Sequence, residues 1–232
     1  MNGIKLDPKK NYLISWAIHQ AKIPSRVQIS VFPGTEVTVK AGDEVKTGQV
    51  IARPTSSKQV YTHSSVTGRV NGVQNQIVEI ETSEKEIWGK NLNSERANWQ
   101  QLSENELLDL FQEFGLVTLD EKSQALHEKI GQKSCAEEDF LMINACESEP
   151  YVSSLQSLLM AHPLEVLKGA EILRKAYGAG KIKICLEDHK EETIELLKSK
   201  VYFLKMGTNR NSRSFIAVSA GSGRAYFKTT PF

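Results

Sequence analysis

Asn144, Glu147 and Glu149 stand close together in the run Ile143–Pro150, INACESEP, directly behind the apolar stretch DFLMINA. An amide and two carboxylates at that spacing can accept hydrogen bonds from a ribityl chain or a flavin ring. The same carboxylates can instead cap the helix that follows and interact with its N-terminal dipole. A second chemical candidate is Lys58, in TSSKQVY. His63, between Thr62 and Ser64, reads by default as an ordinary half-buried, hydrogen-bonded histidine. Cys135, Cys146 and Cys185 form no C-x-x-C pair, so they read as buried or free thiols rather than cluster or zinc ligands.

The elements that must position these groups fall into two textures. From Val27 to Thr82, short β-branched runs such as VQISV, VIA and QIVEIE alternate with Gly, Pro, Asp and Asn, as in a small all-β unit. Residues 1–26 precede it, with an amphipathic helix expected around Tyr12–Ala21 and an extended exit at Pro24. A polar connector, 84–102, leads to LSENELLDLFQEFG, in which Ser103 and Glu106 have capping-box spacing and Gly115 sits where a left-handed C-cap residue belongs. Beyond it the pattern alternates. A helix near Asp120–Lys133 is followed by the strand DFLMINA and by a helix within Leu155–Tyr177 that Pro163 splits or restarts. The strand KIKICLE, the helix EETIELLKSK and a strand VYFLK come next. Strands separated by helices of that length imply a parallel sheet with crossovers. The tail, 207–232, is too irregular to place.

Composition narrows the function. With 29 Lys and Arg against 28 Asp and Glu the formal charge is +1, so no long-range field points to nucleic acid or to an anionic membrane surface. No stretch reaches the roughly 18 apolar residues of a membrane span, and the N-terminus lacks the apolar core of a secretory signal, which reads as cytoplasmic.

The segment VKAGDEVKTGQVIA followed by HSSVTGRV resembles the biotinyl/lipoyl barrel-sandwich, with tight turns at Gly42-Asp43 and Gly48-Gln49. The flanks of Lys58 carry neither the Met-Lys-Met surroundings of a biotin acceptor nor the acidic residue before a lipoyl lysine. Taken further, AGDEVKTGQVIA, THSSVTGRV, FGLV, INACESEPY and LEDHKEETIELLKS, in that order, resemble the C subunit family of the Rnf electron-transport complex. That family is itself related to the flavin-carrying NADH-binding subunit of respiratory complex I. The resemblance implies a barrel-sandwich hybrid followed by a flavoprotein-like α/β domain with a mostly parallel sheet. It also implies that Asn144, Glu147 and Glu149 correspond to residues facing flavin mononucleotide in relatives that bind it.

Two departures alter what the resemblance implies. Where relatives carry a glycine-rich flavin loop after G-[IL]-V, this chain has Gly115-Leu116-Val117 and then TLDEKSQAL, without glycine. Glycines let backbone N–H groups cradle a phosphate, whereas Asp120 and Glu121 bring bulk and negative charge. No cysteine follows Cys185, so the iron–sulfur ligands of the family are absent from this sequence. In that respect it resembles the A subunit of sodium-translocating NADH:quinone reductase.

The expected domains are therefore a barrel-sandwich at 27–83 and a flavoprotein-like α/β domain at 103–206. The chain is read as an RnfC-like subunit or paralogue associated with a membrane-bound electron-transport complex. It is cytoplasmic and held at the inner face of the membrane through protein partners, with no cofactor, no iron–sulfur cluster and no catalysis of its own. The alternative is an NADH-side electron-input subunit with flavin mononucleotide at a remodelled site around Asn144, Glu147, Glu149, Glu187 and Asp188. A carrier function on Lys58 comes third. The flanks of Lys58 predict an unmodified lysine, so the intact mass of the cell-expressed protein should equal the sequence mass; an excess of one lipoyl or biotinyl group would contradict this.

Overall fold

The computed structural model describes residue 18 and residues 20–89, 98–119, 123–131, 139–147, 152–187, 189–207 and 215–221, the last segment and 202–207 as backbone only. The chain divides into two compact units: Ala21–Ser134, and Cys135–Phe232 together with Met1–Gln20.

In the first unit seven strands form two small sheets. β1 (Arg26–Ser30), β7 (Ile77–Thr82), β6 (Gly68–Gln74) and β3 (Glu44–Val45) make one, in that order, and β2 (Glu36–Val37), β4 (Val50–Arg53) and β5 (Thr62–His63) make the other. All pairings are antiparallel. Residues from both sheets, among them Val45, Val70, Val78 and Ile80 from the first and Ile51 and Ala52 from the second, close one core. Truncating Ile51 or Ile80, both fully buried, to alanine would cost about 2–5 kcal/mol. Gly68 lies where β6 meets β7, so close to the Glu81 carbonyl that a Cβ could not be accommodated.

Two helices complete this unit, α1 (Glu104–Glu113) and α2 (Leu126–Gly131). α1 has the expected capping box: Ser103 Oγ accepts from Glu106 N–H, and the Glu106 carboxylate accepts from Ser103 N–H at 2.7 Å. It ends in a Schellman motif, with Leu116 N–H donating to the Phe111 carbonyl at 2.9 Å and Gly115 N–H to Gln112 at 3.1 Å. Gly115 has φ +73°, and a Cβ there would stand 2.5 Å from the Tyr61 carbonyl. The helix end is thereby seated on the strand before His63. Tyr61 N–H donates to the Gln112 carbonyl at 3.2 Å, Gln112 Nε2 donates to Gln59 O at 2.9 Å, and His127 of α2 donates from Nε2 to Ser57 O at 2.6 Å. The peptide on both sides of Lys58 is thus held against α1 and α2 rather than standing free as a swinging carrier hairpin would.

In the second unit β9 (Lys181–Glu187) lies between β8 (Phe140–Asn144) and β10 (Phe215–Gly221) and pairs in parallel with both. α3 (Ser154–Ala161) and α4 (Pro163–Tyr177) connect β8 to β9, and α5 (Glu191–Gly207) connects β9 to β10. Pro163 restarts the helix as its first residue, a position that needs no N–H donor. Leu159, Leu167, Ala170, Ile182, Ile184, Leu186, Ile194, Leu197 and Val201 form the core between strands and helices.

Two sequence expectations are corrected here. VYFLK is not a strand; it continues α5, because Ile194, Leu197 and Val201 keep a helical apolar period and no Gly or Pro interrupts it before Gly207. The tail is not wholly irregular, since Phe215–Gly221 is a strand in register with β9. The helix expected around Tyr12–Ala21 falls mostly outside the described residues, and Ile18, Gln20 and Ala21 are not helical. Residues 120–122, of the segment replacing the flavin loop, also lie outside them. Among the described residues no helix is long and apolar enough to cross a membrane.

His63, on β5 beside the end of α1, is half-buried. Burial holds its pKa below the ordinary value, only partly opposed by the nearby Glu113 carboxylate. The unfolded chain therefore binds this proton more readily, and stability is lost as the pH falls through and below about 6.5. His63→Asn should flatten the decline in urea-unfolding stability between about pH 7.5 and about pH 5.5, and Glu113→Gln should steepen it.

Candidate ligand edge of the parallel sheet

The C-terminal ends of β8 and β9 lie side by side, with Asn144 paired in register to Cys185 and Ala145 N–H donating to Cys185 O at 2.9 Å. Open α/β sheets bind ligands at such an edge. β8 ends at Asn144 with Glu147 just beyond it, and β9 ends at Glu187; these three predicted site residues come together, while Glu149 and Asp188 lie outside the described residues.

Their roles differ. Asn144 is exposed and its Oδ1 accepts the Cys146 N–H at 3.1 Å, a local turn contact. Glu147 points inward and is 8% exposed. Its Oε1 accepts the Leu155 N–H in the first turn of α3 at 2.7 Å, and its own N–H donates to Glu187 Oε1 at 2.9 Å.

The group that sequence reasoning missed is Lys190. Its ammonium lies 2.9 Å from Glu147 Oε2 and 2.9 Å from Glu187 Oε2, and its side chain is only 1% exposed. The Glu187 Oε2 contact is an ion pair without the alignment of a hydrogen bond. A lysine at the start of α5 opposes the positive end of the helix dipole. The pairing compensates, since two carboxylates face one ammonium and the excess negative charge lies between the N-terminal ends of α3 and α5. The signal in the sequence was Lys190 itself, a cation immediately before Glu191 and Glu192 where the first turn of a helix favours anions. Next to the cluster, buried Gln156 of α3 donates from Nε2 to Thr193 Oγ1 of α5 at 3.3 Å.

The segment that replaces the glycine-rich loop, in the other unit, is described on both sides of residues 120–122. Val117 and Ala125 form an antiparallel bridge. Thr118 N–H donates to Gln124 O at 2.8 Å, Gln124 N–H to Thr118 Oγ1 at 3.0 Å and Leu126 N–H to Leu116 O at 2.9 Å. Together with Gly115 and Leu116 in the Schellman motif, these amides all donate within the chain. Among the described residues no group of three or more His, Cys, Asp or Glu is placed to hold a metal ion.

Comparison with known proteins finds matches over most of the chain. Residues 1–88 match the family model described as the RnfC barrel sandwich hybrid domain, and residues 111–225 match the Nuo51 FMN-binding domain. The chain is similar to the C subunit of a proton-translocating ferredoxin:NAD(+) oxidoreductase complex from Clostridium ljungdahlii, 28% identical over 84% of this chain and 46% of that protein. It is also similar to the C subunit of an ion-translocating oxidoreductase complex from Vibrio cholerae, 24% identical over 70% of this chain and 22% of the relative. The corresponding Serratia proteamaculans protein is 27% identical over 72% of this chain and 25% of its own length. The chain thus spans less than half the length of these relatives. Over most of its length it is similar to the C subunits of such complexes.

Breaking the buried cluster on one side leaves charge without compensation. Lys190→Met should lower the urea-unfolding free energy by about 3–5 kcal/mol, and Glu147→Gln, which keeps an acceptor for Leu155, by about 1–3 kcal/mol. The double variant should lose less than the sum; strict additivity would show that the two groups do not act together.

Proposed function

We propose that this RnfC-like chain is a cofactor-free structural subunit, or a paralogue of one, associated with a membrane-bound ion-translocating electron-transport complex and without catalysis of its own. It is cytoplasmic, and its partners are protein subunits that hold it at the inner face of the membrane. Its second unit is a flavoprotein-like α/β domain with a mostly parallel sheet, kept as architecture.

The observation that carries this reading is the commitment of Glu147. Both of its carboxylate oxygens are engaged inside the protein, one by the Leu155 amide and the other by Lys190. With its side chain only 2% exposed, that carboxylate lies out of reach of a ribityl hydroxyl or a flavin ring. The replaced loop supports the same conclusion: its described amides donate to the chain's own carbonyl and hydroxyl groups, whereas a phosphate cradle requires several N–H groups converging outward. The described residues therefore do not fit flavin mononucleotide held in the manner of a glycine-rich loop.

The match of 111–225 to an FMN-binding domain favours one competing reading: an NADH-side electron-input subunit with a remodelled flavin or nucleotide site around Asn144, Glu147, Glu149, Glu187 and Asp188. Calorimetric titration with flavin mononucleotide separates the two. The natural chain is expected to bind no tighter than about millimolar, and a variant with Asp120–Gln124 rebuilt as a glycine-rich loop to gain affinity. Binding near micromolar by the natural chain would overturn the structural reading in favour of the electron-input one.

A further inference from the structure

The described helices of the second unit all lie on one face of its sheet. Ile182, Ile184 and Leu186 of β9 share a core with Leu159 of α3, Leu167 and Ala170 of α4, and Ile194, Leu197 and Val201 of α5. Successive residues of a strand point to opposite faces, which sends Phe140 and Met142 of β8 and Lys181 and Lys183 of β9 to the other side. Phe140 is 42% and Met142 41% exposed, and Lys181 is exposed beside them. In register Phe140 stands opposite Lys181 and Met142 opposite Lys183. The Lys183 ammonium lies 4.1 Å from the centre of the Phe140 ring, so these side chains share a face and the cation is held in place over the ring. Among the described residues neither Lys181 nor Lys183 is paired with a carboxylate, while Glu187, at the end of the same strand, is taken by Lys190.

Parallel sheets are built with both faces covered by helices, so a face left with exposed apolar side chains is one that another element completes. The chemistry of the face selects the occupant. Along each strand the residues of one face repeat about every 6.6 Å, and neighbouring strands lie about 4.8 Å apart. One turn of a helix, about 5.4 Å, brings residues i and i+4 to nearly the same repeat. Two apolar residues one turn apart therefore fit over Phe140 and Met142, and two carboxylates one turn apart in the adjacent row reach Lys181 and Lys183. A second copy of this chain does not fit, because a two-fold contact of the face with itself brings four unpaired ammoniums into one interface. We propose that the face of β8 and β9 remote from the helices is the docking surface for an amphipathic helix of a partner protein that carries Asp or Glu beside its apolar row. The surface lies along the strands and not at the ligand edge beyond their C-terminal ends, so the proposal stands whether or not that edge binds a cofactor.

The probe is a synthetic peptide, locked as a helix by a lactam bridge, with leucine at i and i+4 and glutamate at i+3 and i+7. It is titrated with the full chain and followed by the fluorescence anisotropy of a dye on the peptide. Saturable binding to the natural chain should weaken about tenfold for the Lys181→Glu/Lys183→Glu double variant and for Met142→Glu, with unchanged circular dichroism. The same peptide with lysine in place of both glutamates should prefer the double variant to the natural chain, an exchange of preference that misfolding does not produce. Equal binding of the two peptides by the natural chain, or binding of neither, overturns the proposal. A dimer of the natural chain in sedimentation that Met142→Glu dissociates would assign the face to a second copy. Flotation with vesicles of phosphatidylcholine and phosphatidylglycerol that the double variant loses would assign it to an anionic membrane; either result overturns the proposal as well.

Discussion

The second unit is organised around one buried ionic cluster. Lys190, at the start of α5, joins Glu187 at the end of β9 to Glu147 beyond β8, and Glu147 in turn caps the first turn of α3. One ammonium thereby connects two strand ends and two helix starts. Buried charges tolerate this arrangement only when every partner is present, because desolvating an unpaired carboxylate or ammonium costs several kcal/mol. The cluster therefore constrains direction more than it adds stability. It sets where α3 points, which face of α3 carries Gln156 inward and which leaves leucines outward.

The same cluster engages the carboxylates at the edge of the sheet. Two carboxylates behind a parallel strand look like ligand groups as long as nothing else engages them. With Lys190 inserted between them they form an internal set, and among the described residues Asn144 and Cys146 are the exposed polar groups of that turn. In the barrel unit an equivalent closure is made by backbone: the Schellman end of α1 and the bridge between Val117 and Ala125 direct amides into the chain where a phosphate cradle would direct them outward. In both units, described polar groups that could face outward are engaged within the chain instead.

Much of this architecture was legible in the sequence, where local signals agree with tertiary ones. Ser103 and Glu106 announced the start of α1, Gly115 its end and Pro163 the restart at α4, because capping and proline geometry act within a few residues. VYFLK misled because its β-branched and aromatic residues favour a strand in isolation, while Val201 continues the buried stripe of Ile194 and Leu197. Phe215–Gly221 was not legible because a strand next to β9 is specified by its partner more than by its own pattern. At the edge, Glu147 was readable both as ligand and as cap. The choice between them depended on Lys190, forty-three residues away in sequence, and on a contact that no local pattern encodes.

The central claim is that Glu147 is structurally committed, with its carboxylate held by the first turn of α3 and by Lys190. Hydrogen exchange at the Leu155 amide, followed by nuclear magnetic resonance, reads that commitment directly. The amide should exchange only on global unfolding, and its rate should not change when flavin mononucleotide or NADH is added. Rapid exchange in the free protein, or protection that appears only with either ligand, would show a carboxylate available to a cofactor and would contradict the account.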